Sequence, residues 1–431
     1  MSPARHVMPD TESARVTDTP TSTLPVDPVP EGVPPARTET EREAAARAGL
    51  RTTKGSHSWW AVTLTALSLL VLSAIAVASI LPSGWFAEKE NRRLGVEQPA
   101  EYARTPASAQ PVTDLVRVGD LGGVAEQFPP EGDIYFVTVM SPEQSLLSWL
   151  VGRNEPAIEF LTAEDVNGFR TPSQRRTLDL ASMRTSEQVA QYVALQRIGY
   201  DVSIVPGDVL IEDMVCLQPS EDGTTCVIWS PSDRVLDPGD RILAIDGEPV
   251  ETVDDLQPIL DGKQPGDVVS MEIRRPEQGE LTVDVELTSS PDEPERTIVG
   301  FYPFDTATVE LPFELSIDTR SIGGPSAGLA FTLTLIDELT PGELTPPGGV
   351  AVTGTIALDG AVGPIGGLRQ KASAVAQTGV DTFIVPAAQG EEDIARAEQA
   401  AGSDLDIIPV ATLDEALAAL EQLGGDPLPK P

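Results

Sequence analysis

The chain has 431 residues, with 29 Lys and Arg against 67 Asp and Glu, and a net charge of −38. Its length predicts two or three domains, and a hydrophobic share of 40% indicates that part of it forms a core. This strong negative charge makes nucleic-acid binding unfavourable, because such binding needs Lys and Arg to displace counterions from phosphates. The two histidines are His6 and His57. No histidine follows His57, so that part of the chain cannot use Ser-His-Asp catalysis, Cys-His catalysis or a metal site that needs His.

An uncharged apolar stretch, Trp59 to Leu81, predicts one transmembrane helix, which we assign to residues 58–82. At 1.5 Å per residue it spans about 35 Å, enough to cross a hydrocarbon core of about 30 Å. A buried core helix and a cleaved signal peptide are the alternatives. Residues 1–57 are rich in Pro and Thr and lack a periodic apolar pattern, which predicts a disordered cytoplasmic tail.

Two cysteines give an orientation for this span. Cys216 and Cys226 flank the turn sequence PSEDG between two strand patterns, so they form either a disulfide or two buried thiols. A disulfide requires an oxidising compartment. Basic residues before the span also slightly favour a cytoplasmic N-terminus. The sequence therefore predicts a single-pass plasma-membrane protein whose body is extracytoplasmic.

The segment after the span reads as a connector over residues 83–190. It contains a predicted strand at 132–139 and two amphipathic helices, at 141–152 and 186–199, the first opened by Ser141 and Pro142. Beyond it the pattern changes to short strands. The run LDPGDRILAIDGEPVETVDDLQPIL, residues 236–260, resembles the part of a PDZ domain that leads into its groove-lining helix.

This resemblance implies a PDZ-like β-rich domain over residues 191–290. Such domains bind extended peptides beside an edge strand and hold a terminal carboxylate on backbone N–H groups. The expected carboxylate loop, Pro206 to Val209, departs from the usual Gly-Leu-Gly-Phe pattern and places Asp208 where an anionic peptide end would bind. A domain that serves only as a packed spacer is the alternative.

The sequence SIGGPSAGLAFTLTLIDEL, residues 321–339, predicts a tight turn followed by a helix. Ser326 opens that helix, which begins at about Ala327, so free backbone N–H groups and the positive end of the helix dipole lie beside its hydroxyl. An oxyanion would be stabilised there. The alternative is that Ser326 is only the helix N-cap.

A second segment, residues 352–386, supplies a partner for this serine. VAVTGTIAL predicts a strand, GAVGPIGG a glycine-rich turn and LRQKASAVAQTG an amphipathic helix that carries Lys371. Most positive charge in the chain is carried by Arg, so a Lys here suggests a need for an amine. A desolvated Lys can lose its proton and act as a general base, which Arg cannot. Without imidazole, a Ser-Lys dyad is the familiar way to activate a serine.

These two segments closely resemble the proteolytic domain of Lon, a Ser-Lys protease, over residues 297–422. The Gly-Pro-Ser-Ala-Gly motif of that family corresponds to Gly324–Gly328, and its Thr-Gly and Pro-Ile-Gly-Gly-Leu motifs correspond to Thr353–Gly354 and Pro364–Leu368. The resemblance implies a nucleophile at Ser326 and a general base at Lys371. Supporting roles are implied for Thr353, Gly324, Pro325 and Ala327.

The sequence departs from Lon enzymes at two points. Gly323 stands where many of them have an acidic residue, and no Gly-x-x-x-x-Gly-Lys-Ser/Thr loop for phosphate occurs in the sequence. One span, a PDZ-like domain and a Lon-type domain together are similar to the bacterial membrane-anchored, PDZ-containing Lon-like proteases, which work without ATP.

The sequence therefore predicts an α+β fold: disordered tail, one transmembrane helix, connector, PDZ-like domain, Lon-type domain and a short tail at 423–431. The predicted activity is an ATP-independent serine endopeptidase without cofactor or metal, acting on protein or peptide substrates. Family resemblance suggests a ring-forming homo-oligomer. The alternative is a membrane-tethered PDZ scaffold whose Lon-like domain is weakly active or inactive.

Overall fold

The computed structural model describes residues 40, 58–90, 97–168, 170–219, 226–276 and 278–429. Of the tail predicted over residues 1–57, all but Thr40 lies outside the described residues. The helices are, in chain order, α1 (Trp59–Ala78), α2 (Leu146–Gly152), α3 (Ala163–Asn167), α4 (Pro172–Arg197), α5 (Leu256–Leu260), α6 (Gly328–Leu339), α7 (Leu368–Ala376), α8 (Glu391–Ala401) and α9 (Leu413–Gln422).

The strands lie between and after these helices. They are, in chain order, β1 (Glu88–Glu90), β2 (Glu97–Pro99), β3 (Tyr102–Pro111), β4 (Val116–Val118), β5 (Ile134–Met140), β6 (Glu159–Leu161), β7 (Ser203–Met214), β8 (Cys216–Pro219), β9 (Cys226–Trp229), β10 (Arg241–Ile245), β11 (Glu248–Pro249), β12 (Val268–Arg275), β13 (Gly279–Glu286), β14 (Thr288–Ser289), β15 (Thr297–Ile298), β16 (Phe301–Glu310), β17 (Leu315–Ile317), β18 (Val350–Val352), β19 (Thr355–Ile356), β20 (Val362–Gly363), β21 (Thr382–Pro386) and β22 (Asp406–Val410). The α+β class predicted from the sequence is therefore observed.

The apolar stretch near the N-terminus forms α1, a helix of 20 residues with a mean hydropathy of 2.3. At 1.5 Å per residue its length is about 30 Å, enough to cross a bilayer core. None of its residues is buried. Length and composition thus permit this helix to cross a membrane.

The larger sheet has the strand order β22-β21-β18-β5-β3-β6. Its strands from β5 to β22 are parallel, while β3 runs antiparallel to β5 and β6. Val350 and Val352 of β18 belong to one apolar cluster, and Ala351 between them belongs to another. This alternation follows from the two-residue period of a strand. Helices α4, α6 and α9 therefore cover one face of the sheet, and α7 and α8 cover the other.

Three strands of this sheet come from the segment expected to be a connector, residues 83–190. Strand β5 lies directly between β18 and β3, and β6 forms the sheet edge. Helix α4, which begins in the same segment, packs on the buried helix α6. The sheet that carries residues 350–410 is thus completed by strands from residues 102–161. The domain expected over residues 297–422 does not include these strands.

The second sheet has the order β13-β12-β10-β7-β16, with β11 paired to β10. Alternate strand residues such as Val269, Met271 and Ile273 face its own apolar core. The pattern of short strands predicts less than the structure shows at the start of this domain, where β7 is a single strand of 12 residues that pairs along its length with β16. Because β7 to β16 lie in the chain between β6 and β18 of the larger sheet, this PDZ-like domain is inserted into the chain that builds that sheet.

The expected carboxylate loop at Pro206–Val209 is not a loop but part of β7. The N–H of Asp208 donates to Thr306 Oγ1 at 2.5 Å, and the Asp208 carboxylate forms an ion pair with Arg241. These backbone groups are used within the sheet and do not form an open nest for a peptide end.

Two local boundaries also differ from expectation. The first amphipathic helix begins at Leu146, not at Ser141, because Ser145 and Ser148 form a capping box at its start. The segment expected to be a tail at 423–431 is tied to the domain. There the N–H of Asp426 donates to the carbonyl of Glu343 at 2.7 Å.

Cys216 and Cys226 are joined by a disulfide across the hairpin of β8 and β9. We expect Cys216→Ser to lower the free energy of unfolding of the PDZ-like domain by about 3 kcal/mol, because the bond closes a short loop in the unfolded chain. Native-state hydrogen exchange of the β10 and β12 amides measures this.

A reducing agent provides the matched control for this variant. It should bring the wild-type exchange rates to those of Cys216→Ser and leave the variant unchanged. Equal protection of oxidised and reduced wild type would contradict the prediction.

Candidate active site

The candidate nucleophile, Ser326, lies in the turn that precedes the buried helix α6. Ala327 is the N-cap of this helix and makes no side-chain capping bond. Ser326 therefore lies one residue before the cap, and its hydroxyl is free for a different partner. This removes the alternative in which the serine is only a helix cap.

That partner is Lys371, one turn into α7. Its Nζ lies 2.7 Å from Ser326 Oγ and 3.0 Å from Thr353 Oγ1. The side chain is 2% exposed, although lysines are almost never fully buried without a paired charge. The structure thus brings Ser326, Lys371 and Thr353 together from three separate elements.

Thr353 lies where a predicted strand breaks. The sequence predicts one strand over residues 350–358, but the structure divides it into β18 and β19. At the break, the N–H of Gly354 and the hydroxyl of Thr353 both donate to the carbonyl of Ser326, at 2.9 and 3.0 Å. Thr353 Oγ1 uses its proton for that carbonyl, so it can only accept from Lys371 Nζ. Thr353 therefore holds both Ser326 and Lys371 in position.

Burial is the main cause that lowers the pKa of Lys371 to about 7, and the positive charge of Arg104 lowers it further. At neutral pH a substantial fraction of the amine is consequently unprotonated. A neutral amine can donate one N–H to Thr353 and accept the hydroxyl proton of Ser326 with its lone pair.

The residues around Ser326 shape the turn. The N–H of Gly324 donates to the carbonyl of Asp179, and Pro325 is exposed, with a carbonyl that accepts from Ser186 Oγ at 3.0 Å. By contrast, no acceptor among the described residues takes the N–H of Ser326 or Ala327. Two neighbouring N–H groups at the start of a helix can bind an oxyanion that develops beside the serine.

Helix α4 holds the turn that carries Ser326 ahead of α6, called here the nucleophile turn. No pattern in the sequence indicated this role of the helix. Besides the bond that the carbonyl of Asp179 accepts and the one that Ser186 donates, two further bonds join α4 to this segment. Arg176 Nη2 donates to the carbonyl of Ser321 at 2.5 Å, and the buried Glu187 accepts from Thr319 Oγ1. Burial raises the pKa of Glu187, and the bond from Thr319 opposes that effect. Most of these contacts use backbone carbonyls, which carry no residue-type signature.

Two glycines allow this close packing. A Cβ at Gly323 would lie 2.7 Å from the Cβ of Asp179, and one at Gly328 would lie 2.8 Å from Ser186 Oγ and 2.9 Å from Ile356 Cγ2. Neither position has room for a side chain. The acidic residue that many Lon enzymes have at the position of Gly323 is therefore sterically excluded here.

Within the part of the chain that the structure describes, no cluster of three or more His, Cys, Asp or Glu side chains could hold a metal ion. The groups that converge on Ser326 are an amine, a hydroxyl and backbone amides. This combination can activate a serine and stabilise an oxyanion, which together perform acyl transfer.

Residues 320–422 match the family model of the Lon protease (S16) C-terminal proteolytic domain. Within this Lon-type domain lie Ser326, Thr353 and Lys371. Residues 227–275 match the family model of a PDZ domain. Both matches lie within the domains that the sequence motifs predict.

Curated relatives match over short segments. The Lon protease of Metamycoplasma arthritidis is 36% identical over 87 residues, which is 20% of this chain and 10% of that protein. The mitochondrial Lon protease homolog of Debaryomyces hansenii is 48% identical over 63 residues, 15% of this chain and 6% of that protein. The chain thus spans about a tenth or less of the length of these relatives.

Among solved structures, the PDZ domain of the SdrC-like protein from Listeria monocytogenes is 20% identical. It covers 22% of this chain and 85% of that one, with a TM-score of 0.17.

The pKa of Lys371 leads to a pH prediction. Only the neutral amine can take a proton, so kcat/KM on a peptide substrate should rise with pH through about 7. Arg104→Gln removes a positive charge that lowers this pKa. The pKa of Lys371 should therefore rise, and the acidic limb of the pH profile should move to higher pH. Rate measurements from pH 5 to 10 test this.

Arg153→Gln is the matched control, because Arg153 is an exposed arginine that follows α2 and does not contribute to the Lys371 shift. Its profile should coincide with that of the wild type. An unmoved limb in Arg104→Gln, or the same movement in both variants, would show that Arg104 does not set the pKa.

Proposed function

We propose that the protein is a membrane-anchored serine endopeptidase of Lon type that cleaves peptide bonds by a Ser-Lys dyad without ATP. The observation that carries the proposal is the 2.7 Å contact between Lys371 Nζ and Ser326 Oγ, made by a buried amine whose pKa is lowered to about 7. The match of residues 320–422 to the Lon proteolytic domain supports the same activity.

In the proposed reaction, Ser326 Oγ attacks the scissile carbonyl while Lys371 Nζ takes the hydroxyl proton. The N–H groups of Ser326 and Ala327 receive the oxyanion. Lys371 then gives its proton to the leaving amine, which leaves an acyl-enzyme on Ser326. Water attacks this ester with Lys371 again as base, and the proton returns to Ser326. Thr353 holds the amine in line throughout.

Independence from ATP is supported by the sequence, which contains no Gly-x-x-x-x-Gly-Lys-Ser/Thr loop. The PDZ-like domain supports protein or peptide substrates, which it would contact before or during cleavage. Assembly into a ring stays a prediction from the resemblance.

The proposed topology places the N-terminus in the cytoplasm and the catalytic domain outside. It rests on α1, which is long and apolar enough to cross a bilayer, and on the Cys216–Cys226 disulfide, which requires an oxidising compartment.

Ser326→Ala and Lys371→Arg should each lower kcat on unfolded protein by roughly 10³-fold or more, because each removes one member of a unit that acts together. Thr353→Val should lose less of its kcat, since Thr353 positions the amine and does not react.

Cleavage by the wild type should be the same with added ATP and after enzymatic removal of nucleotide. Gel analysis of fragments and circular dichroism of each variant provide the measurements.

Cleavage that persists at wild-type rates in a folded Ser326→Ala or Lys371→Arg variant would refute the dyad. Activity that depends on ATP would refute nucleotide independence. No fragments from the wild type, together with tight peptide binding, would instead support a tethered scaffold.

The topology can be tested with single cysteines, because both native cysteines are in the disulfide. We expect an impermeant maleimide to label Ser403→Cys, at an exposed position, in intact cells. Ser22→Cys, ahead of the apolar stretch, should be labelled only after the membrane is permeabilised. The reverse pattern would place the catalytic domain in the cytoplasm.

A further inference from the structure

A cleft of about 750 Å³ lies between helix α4 and the PDZ-like sheet. Its floor is formed by residues from five neighbouring strands, β16, β7, β10, β12 and β13. Its wall is one face of α4, presented by Thr177, Ala181, Arg184 and Gln188, which recur at helical spacing. No residue of α5, the helix that lines the peptide groove in PDZ domains, borders it. The cleft is therefore separate from that groove and from Ser326.

The cleft is basic in a strongly acidic protein. Arg184, Arg241, Arg274 and Arg275 line it, and Asp208 is the only carboxylate among its described lining residues. The chain as a whole carries a net charge of −38. An acidic ligand that the rest of the surface repels thus meets four guanidinium groups in this cleft.

Three of these arginines have ion-pair partners, but their donors are not exhausted. Arg241 pairs with Asp208, Arg274 with Glu280, and Arg275 with Asp240 and Asp237. A guanidinium has five N–H donors, so each can still bind a further acceptor.

Arg184 is exposed and has no ion pair with any residue that the structure describes. Next to it, Thr185 Oγ1 is buried without a hydrogen-bond partner among the described residues. These two groups are the unsatisfied polar atoms of the α4 wall, and both suit an oxygen-bearing anionic ligand.

The shape of the cleft selects a linear ligand. Four gaps between neighbouring strands, each about 4.8 Å, give a floor about 19 Å wide. An extended peptide rises about 3.3 Å per residue, so five or six residues span it. A small inorganic anion would contact one or two of the arginines only.

We propose that this cleft binds an extended acidic peptide segment of five or six residues, with its carboxylates on Arg184, Arg241 and Arg274. The segment lies between α4 and the sheet, and its recognition does not require a free carboxyl terminus.

The test uses the full chain with Ser326→Ala, in detergent micelles at low ionic strength, so that binding is measured without cleavage. The probe is a fluorescent hexapeptide of alternating Asp and Ala, blocked at both ends, and the readout is fluorescence anisotropy. We expect saturable binding that Arg184→Glu weakens roughly tenfold or more, because one attraction becomes a repulsion. The same peptide with Lys in place of Asp should not bind.

Arg153→Glu is the matched control, since it makes the same charge change at an exposed arginine outside the cleft. It should leave the affinity unchanged. If thermal unfolding shows that Arg184→Glu is not folded, Arg274→Glu and Arg184→Gln replace it, with weaker binding expected from each.

Three results would overturn the proposal: no saturable binding, equal loss of affinity in Arg153→Glu and Arg184→Glu, or full displacement of the probe by inorganic phosphate or oligothymidylate at equal charge concentration. The last would identify a general anion site. Because the measurement is made on Ser326→Ala, its failure leaves the proposed protease function untouched, and failure of that function leaves the binding result standing.

Discussion

The burial of one amine is the constraint on which the site depends. Lys371 Nζ is removed from water and pairs with no carboxylate of the described residues, so its charged form is costly and the neutral form becomes accessible near pH 7. The nearest partners of the amine are the hydroxyls of Ser326 and Thr353, which suit a neutral amine. Arg104 acts in the same direction through its charge. A carboxylate at this place would have kept the lysine protonated and unable to act as a base.

Bringing a serine to that amine requires three elements to approach closely. The start of α6 packs against α4 and β19 at Gly328, and the nucleophile turn packs against α4 at Gly323. Thr353 then joins the break between β18 and β19 to the carbonyl of Ser326. Lack of space thus explains Gly323 and Gly328, and a positive φ of 91° explains Gly324. Thr353 is explained by the two hydrogen bonds that its single hydroxyl makes.

The pairing of Ser326 with Lys371 could be predicted from the sequence because its signals are local. A tight turn before a predicted helix made Ser326 a candidate, a rare lysine in an amphipathic helix made Lys371 one, and the ordered resemblance to the Lon motifs joined the two. The expected start of the catalytic sheet was too late, because β3, β5 and β6 lie far from β18 in the chain and local patterns carry no information about sheet partners. The first half of α4 was missed because it is polar, and it holds the nucleophile turn largely through backbone carbonyls.

The insertion of the PDZ-like domain has a consequence for how the protein can be divided. A fragment that began at residue 297 would retain Ser326 and Lys371 but would lose β5, the parallel neighbour of β18. It would expose one edge of β18 and an apolar face of α6 that α4 otherwise covers, both of which promote aggregation. The smallest independently folding catalytic unit therefore has to include chain from both sides of the insertion. In such a unit, the C-terminal end of β7 would be joined to the N-terminal end of β16 in place of the chain between them.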